Sequence, residues 1–130
     1  MEPDIELDTL AHLVIGAALE VHRELGPGYL ESVYQNALSI ELRSTGVKFE
    51  AQKPFLLNYK QQHIGEGRLD FLVGDRLVVE IKAVESLQPI HKAQVISYLK
   101  ATRSRIGLLI NFNVKMLKNG IQRIIWSDVY

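Results

Sequence analysis

The hydrophobic periodicity of this chain changes at Val47, and that change constrains the fold more than any other feature of the sequence. Before it, apolar residues recur every three to four positions over 9–25 and 30–44, which predicts two amphipathic helices. Asp8 or Thr9 is expected to cap the first helix. The predicted inward positions are Leu10, Leu13, Val14, Ala17 and Val21 in the first helix, and Leu30, Val33, Ala37 and Ile40 in the second.

After Val47 the sequence alternates in the manner of strands, with one further helix that opens at Pro89. The order of elements is therefore ααβββαββ, which predicts an α/β (α+β) fold in which helices flank one mixed central sheet. A chain of 130 residues is expected to form a single domain over 1–130. The predicted strands are 48–59, 63–73, 76–83, 106–112 and 121–126, and the third helix is 89–101.

Composition excludes several classes of protein. The absence of cysteine excludes a disulfide scaffold, thiolate zinc sites and cysteine nucleophiles. No apolar run approaches the roughly 18 residues that a membrane span needs. The acidic start, Met1 to Asp4, is unlike a signal peptide. We therefore expect a cytoplasmic protein with no membrane partner.

The net charge of zero hides an asymmetry along the chain. Residues 86–130 carry seven Lys and Arg against one Asp, whereas residues 1–85 carry eight against fourteen acidic residues. Such an asymmetry predicts either a basic face that an anionic polymer could use, or an ordinary solvated surface.

Two predicted strands, separated by Gly74 and Asp75, form the most informative stretch. Alternation places Leu69, Phe71 and Val73 on one face of the first strand, and Leu77, Val79 and Ile81 on one face of the second. A three-residue loop, 73–75, keeps both apolar sets on the same side of a hairpin. That register pairs Leu72 with Arg76, Phe71 with Leu77 and Asp70 with Val78.

This register places Asp70, Glu80 and Lys82 on the same face, with Arg68 opposite Glu80. Asp70 and Glu80 would be diagonal neighbours, at roughly 7–8 Å between backbones, so that both side chains could reach one ion. Two converging carboxylates repel each other without a cation, and oxygen ligands suit Mg²⁺ or Mn²⁺. Lys82 could orient a water or stabilise an oxyanion there. The alternative is a cluster of two ordinary ion pairs, Glu80 with Arg68 and Asp70 with Lys82.

Three motifs carry a resemblance to a known family. Asp70, nine further residues and Glu80-Ile81-Lys82 resemble the D…ExK core of the PD-(D/E)xK nuclease superfamily. The segment from Gly28 to Tyr34 is similar to the G-x-x-E-x-x-Y signature of the GxxExxY protein family, a branch of that superfamily. Gln94 to Tyr98 resembles the Q-x-x-x-Y element of its exonuclease-type branches. Leu69 stands where the usual proline would precede the aspartate.

The resemblance implies a restriction-endonuclease-like core and a metal-dependent nuclease that hydrolyses phosphodiester bonds of nucleic acid, most plausibly DNA, with Mg²⁺ or Mn²⁺ as cofactor. It implies that Lys82 is catalytic together with Asp70 and Glu80. A chain of this size could also form a homodimer around a duplex. The implied metal ligands are Asp70, Glu80, the backbone carbonyl of Ile81, and Glu31; the residues implied to contact nucleic acid or support the site are Gln94, Tyr98, Tyr34, Lys92 and Lys100.

Each assignment has a simpler alternative. Glu31 could stabilise the start of a helix, and Tyr34 and Tyr98 could be residues at the edge of the core. His22 and His91 are expected to be structural or exposed. At the level of function, the chain could be a nuclease-fold protein without turnover that binds nucleic acid or a protein partner, or an interaction protein with a structural metal. We favour the nuclease.

Overall fold

The computed structural model describes residues 4–127, which form three α-helices and a five-stranded sheet. The strands lie side by side in chain order, and all neighbours are antiparallel except the third and fourth, which are parallel and are joined through the third helix. The predicted α/β (α+β) class and the order ααβββαββ are confirmed. The elements are α1 (Ile5–Leu25), α2 (Glu31–Thr45), β1 (Phe49–Tyr59), β2 (Gln62–Val73), β3 (Leu77–Lys82), α3 (Pro89–Thr102), β4 (Ile106–Asn111), a 3-10 helix (Leu117–Gly120) and β5 (Ile121–Ile125).

The helices cover opposite faces of the sheet and create two apolar cores. On one face, α1 and α2 pack on Val79 and Ile81 of β3; we call this the α1–α2 core. On the other face, α3 packs on Val78 of β3, and we call this the α3 core. Because β3 alternates between the two cores, Glu80 and Lys82 fall on the α3 side. The fully buried members of the α3 core are Leu69, Val78, Val95, Leu99, Leu109 and Ile124.

Helix α1 begins four residues earlier than the predicted start. The side chain of Asp4 accepts a hydrogen bond from Leu7 N–H at 3.0 Å and caps the helix, so the expected cap at Asp8 or Thr9 is wrong. Leu7 is buried and extends the apolar stripe by one turn, whereas Leu10 is only partly buried. No helix in the described part of the chain is long and apolar enough to cross a membrane.

Helix α2 faces the core with a different stripe from the predicted one. Its buried residues are Tyr34, Leu38 and Leu42, whereas Leu30 and Ile40 are 76% and 62% exposed. Both sets recur every three to four residues, as one face of a helix requires, and they differ by a rotation of the helix. The observed rotation buries a tyrosine ring and two leucines together, so it removes more apolar surface from water.

Strands β1 and β2 exchange faces where Gln52 lies beside Asp70. Phe71 packs in the α1–α2 core, but Leu69 packs in the α3 core, so the prediction that they share a face is wrong. The cause is local backbone geometry: Gln52 has φ +54°, and this residue and Asp70 are absent from the β1–β2 ladder, which also shifts its register between Leu57 and Asn58. Beyond that point Phe55 of β1 also lies on the α3 side.

The β1–β2 hairpin is longer than the strand it borders. Its ladder extends from Phe49–Val73 to Tyr59–Gln62, but β2 pairs with β3 only through 71–73. Residues 54–59 and 62–68 therefore form a two-stranded extension, which we call the ribbon. Gly67 in the ribbon lies directly under the ring of Phe55: a Cβ there would approach Phe55 Cζ to 2.3 Å.

Candidate active site

The β2–β3 hairpin has a different register from the predicted one. The structure pairs Phe71 with Val79 and Val73 with Leu77, so the loop is 74–76 rather than 73–75. Val73 is fully buried, and a β-branched residue is more stable in the strand than in the loop, where Gly74 and its neighbour both adopt φ +61°. The shift is an even number of residues, two, so Leu77, Val79 and Ile81 still share one face of β3, as the sequence predicted.

The shift brings the two acidic residues closer together than the sequence predicted. If the observed register is continued, Asp70 lies directly opposite Glu80, whereas the sequence predicted a diagonal position. Arg68 then lies opposite Lys82, whereas the sequence predicted that it lies opposite Glu80. The backbone hydrogen bonds between β2 and β3 end at Phe71. Beyond that residue, hydrogen bonds from backbone N–H groups to side-chain carboxylates join the two strands.

Each carboxylate accepts a hydrogen bond from the opposite strand. Asp70 N–H donates to Glu80 Oε2 at 2.7 Å, and Ile81 N–H donates to Asp70 Oδ2 at 2.7 Å. Gln52 Nε2 lies 3.4 Å from Asp70 Oδ1, and Gln35 Nε2 donates to the Asp70 carbonyl at 3.3 Å. Within residues 4–127, no ion pair joins Glu80 to Arg68 or Asp70 to Lys82, so the alternative of two ordinary ion pairs is not what the structure contains.

Burial raises the pKa of each of the three carboxyl groups, most strongly that of Glu80. Glu80 is 3% exposed; burial and then the charge of Asp70 raise its pKa to about 8, against the smaller opposing effects of Asp70 N–H and Lys82. Burial also raises the pKa of Asp70, although the hydrogen bond from Ile81 N–H lowers it. Glu31 has a raised pKa because of burial and the charge of Asp70. The three carboxyl groups and Lys82 therefore lie close enough to act on one another.

Helix α3 places two further predicted residues beside these groups. The pKa of Tyr98 is raised by burial and by the charges of Glu80 and Asp70, while a hydrogen bond with the Gln94 side chain lowers it. These two residues are one helical turn apart on α3. The structure thus brings together Glu31, Asp70, Glu80, Lys82, Gln94 and Tyr98.

The chain was compared with models of known protein families, and one of them matches most of its length. The model of the PD-(D/E)XK nuclease superfamily matches residues 8–124, which include all the candidate site residues. The chain belongs to the PD-(D/E)XK nuclease superfamily. The expected restriction-endonuclease-like architecture agrees with this membership. A search of curated proteins gave no match.

Other predicted residues lie away from the carboxylates or serve the framework. Tyr34 is fully buried, its hydroxyl donates to the Gly26 carbonyl at 2.6 Å, and its ring stacks on Phe112 at 4.7 Å. In this conformation it cannot touch nucleic acid, and only a supporting role is compatible with its position. Lys92 and Lys100 are exposed on α3.

His22 and His91, two of the four histidines, have structural roles. His22 Nε2 lies 2.7 Å from the Val114 carbonyl oxygen, and His91 Nδ1 accepts the Gln88 N–H at 2.9 Å in the cap of α3. Glu31 is the first residue of α2, after the N-cap at Leu30, so its position agrees with the helix-start alternative; burial and the charge of Asp70 also raise its pKa.

Asn111 is a site-supporting residue that sequence reasoning missed. Its side chain is 1% exposed, accepts Val84 N–H at 3.0 Å and donates to the Val84 carbonyl at 2.9 Å. Asn111 also pairs with Lys82 in the parallel β3–β4 ladder. It fixes the chain as it leaves β3, directly after the lysine. The available signal was a polar residue at the end of the otherwise apolar run that forms β4.

The donor set of this PD-(D/E)XK chain fits an oxygen-preferring divalent ion. Asp70, Glu80, Glu31 and the carbonyl of Ile81 offer only oxygen ligands, the type that Mg²⁺ and Mn²⁺ prefer. A carboxylate as buried as Glu80 also lacks a nearby charge partner within 4 Å in the described part of the chain. No three acidic or histidine side chains of residues 4–127 are arranged as a ready metal cluster. Asp70 and Glu80 each direct one oxygen to a backbone N–H.

Proposed function

We propose that this chain is a divalent-metal-dependent phosphodiesterase that hydrolyses nucleic acid, with DNA as its substrate. The observation that carries the proposal is the reciprocal pairing of Asp70 and Glu80. A buried and a partly buried carboxyl group, those of Glu80 and Asp70, meet where β2 leaves β3, and each retains one oxygen that accepts no strong hydrogen bond from the described residues. Membership of the nuclease superfamily supports a hydrolytic role for such a site.

Asp70 and Glu80 would hold Mg²⁺ or Mn²⁺, with Glu31 and the Ile81 carbonyl as further ligands. A bound ion of this kind polarises a phosphate and lowers the pKa of water. Lys82 lies on the same side of β3 as Glu80, where its ammonium would orient the attacking water and offset charge on the phosphorane-like transition state. Gln94 and Tyr98 would border the reacting phosphate. Lys92 and Lys100 would contact the backbone of the polymer farther along α3.

A second candidate function is a nuclease-fold protein that binds nucleic acid or a partner protein without turnover. One observation favours it: Asp70 and Glu80 are already bonded to backbone N–H groups, so loading an ion requires the carboxylates to share those oxygens or rotate.

Membership of the GxxExxY branch, which rests on Gly28, Glu31 and Tyr34, is part of the proposal. A homodimer and a cytoplasmic location stay predictions.

The test is cleavage of labelled linear duplex, circular duplex and single-stranded DNA with Mg²⁺, Mn²⁺ or EDTA. We expect cleavage by the wild type in either metal and none in EDTA. Glu80→Gln and Lys82→Ala should both lose cleavage, and neither should fall below the wild type in melting temperature in EDTA at pH 7 or above. Glu24→Gln, an exposed carboxylate on α1, is the matched control and should cleave normally.

Two results would contradict the proposal. Cleavage that persists in Glu80→Gln and Lys82→Ala would exclude these residues from the reaction. Absence of cleavage of all three substrates by the folded wild type, combined with Mg²⁺ stabilisation that depends on Glu80, would favour the second candidate.

A further inference from the structure

The ribbon presents a row of apolar and aromatic side chains on the same side of the sheet as the carboxylates. Phe55, Leu57 and Tyr59 occupy alternate positions of β1, which places them on one face. The register with β2 shifts between Leu57 and Asn58, but the residue without a partner there, Ile64, lies in β2, so the alternation of β1 continues to Tyr59. The ring of Phe55 makes an edge contact with Tyr98, with 5.1 Å between centroids, which identifies this face as the α3 side. Since Tyr98 is close enough to Glu80 to feel its charge, the row leads from the ribbon tip to the candidate site.

The strand opposite this row carries glycines where side chains would otherwise stand. Gly67 pairs with Phe55 and Gly65 pairs with Leu57. The Phe55 ring covers Gly67, whereas a Cβ added at Gly65 would meet no atom within 4 Å. The face is therefore shallow and open beside Leu57, between one ring at the base of the ribbon and another at its tip.

The chemistry of the row matches unpaired bases better than a duplex. Phe55, Leu57 and Tyr59 carry no charge, so they offer little to the phosphates that a duplex presents outward. Tyr59 is 60% exposed, and Lys60 Nζ lies 5.4 Å from its ring centroid, where a cation can also reach a passing phosphate. Exposed rings with a nearby cation are the elements on which single strands stack.

A second copy of the chain is a less suitable occupant. The ribbon could pair through the outer edge of β1, since β1 is an edge strand of the sheet. However, Pro54 has no N–H to donate along that edge, and the neighbouring Lys53 adds a charge. Both features disfavour strand pairing between molecules.

We propose that Phe55, Leu57 and Tyr59 form a stacking track that binds a single strand of nucleic acid and leads it past Tyr98 to the Asp70–Glu80 pair. The cleavage of the bound strand rests on the proposed function. The inference narrows the substrate class of that function to single-stranded regions of nucleic acid. The track itself is a binding surface that can be tested without cleavage.

The experiment measures the binding of fluorescent oligothymidylate and of a duplex of equal length by anisotropy, in EDTA and at fixed salt. We expect the wild type to bind the single strand more tightly than the duplex. Tyr59→Ala should weaken single-strand binding about 5- to 100-fold, since one stacked base is lost, and Tyr59→Phe should bind like the wild type. Leu56→Ala is the matched control: Leu56 is 59% exposed, on the opposite face of the same strand, and its loss should have no effect.

Several outcomes would overturn the track. These are no binding of the single strand, tighter binding of the duplex, or equal losses in Tyr59→Ala and Leu56→Ala. A fall in molecular mass of Tyr59→Ala, measured by light scattering, would instead assign the row to a contact between copies.

The same variants separate this inference from the proposed function. If Mg²⁺-dependent cleavage of single strands is unchanged in Tyr59→Ala, the track is wrong and the nuclease stands. If single strands bind through Tyr59 but the wild type cleaves nothing in Mg²⁺ or Mn²⁺, the track stands and the nuclease is wrong.

Discussion

Replacing Glu80 by glutamine should stabilise the metal-free protein at alkaline pH. The folded state holds a proton on Glu80 up to a pKa of about 8, whereas the unfolded chain releases it near 4.5. The unfolded state therefore binds fewer protons between these values, and the free energy of unfolding of the wild type falls as the pH rises through this window. Glutamine imitates the protonated form, and its amide oxygen can still accept Asp70 N–H.

The size of the effect follows from the same two values. One pH unit corresponds to about 1.4 kcal/mol, so the full window corresponds to an upper limit of about 5 kcal/mol. At pH 9 we expect Glu80→Gln to exceed the wild type by a few kcal/mol in its free energy of unfolding. Below pH 4.5 the two proteins should be nearly equal, because Glu80 is then protonated in both the folded and the unfolded states.

The assay is urea denaturation in EDTA between pH 4.5 and 9, followed by fluorescence of Trp126. This is the single tryptophan of the chain, and it packs against the α3 core. Subtracting the free energy of unfolding of the wild type from that of the variant cancels the pH dependence that most other titrating groups contribute. Glu24→Gln, at an exposed position, should show no such pH-dependent difference. A difference that stays flat from pH 4.5 to 9, or a variant that is less stable at pH 9, would refute the reasoning.

Three further predictions concern the site and its support. Lys82→Ala should lower kcat for DNA cleavage by about 100-fold or more, with an unchanged melting temperature. Tyr34→Phe should cost about 1–2 kcal/mol of stability in denaturation, since the partly buried Gly26 carbonyl loses its donor, and an effect on DNA affinity would contradict the buried position of Tyr34. Asn111→Ala should lose about 2–3 kcal/mol, because both Val84 backbone groups lose a partner, and a neutral result would exclude that role.

The sequence predicted the elements and their order because the change of hydrophobic period at Val47 is strong. It could not predict the rotation of α2, since the sets through Val33 and through Tyr34 both recur at helical spacing. The ring of Phe112, which is distant in sequence, favours the observed set by stacking on Tyr34.

The candidate site residues could be chosen from the motif, but their geometry could not be predicted. The alternation of side chains along a strand predicted that Glu80 and Lys82 share one face of β3, and the structure agrees. The two-residue shift depended on the burial of Val73, and the face exchange depended on a positive φ at Gln52, a residue type that gives little warning of it. The reciprocal hydrogen bonds of Asp70 and Glu80 follow from both.

Calorimetric titration of Mg²⁺ at pH 7, in two buffers of different ionisation enthalpy, tests most directly whether the Asp70–Glu80 pair is an ion site. Since Glu80 has a pKa of about 8, it is mostly protonated at pH 7 and must release that proton to bind a cation. The account predicts release of close to one proton per bound Mg²⁺ by the wild type and no binding by Glu80→Gln. Binding without proton release, or binding that Glu80→Gln retains, would contradict it.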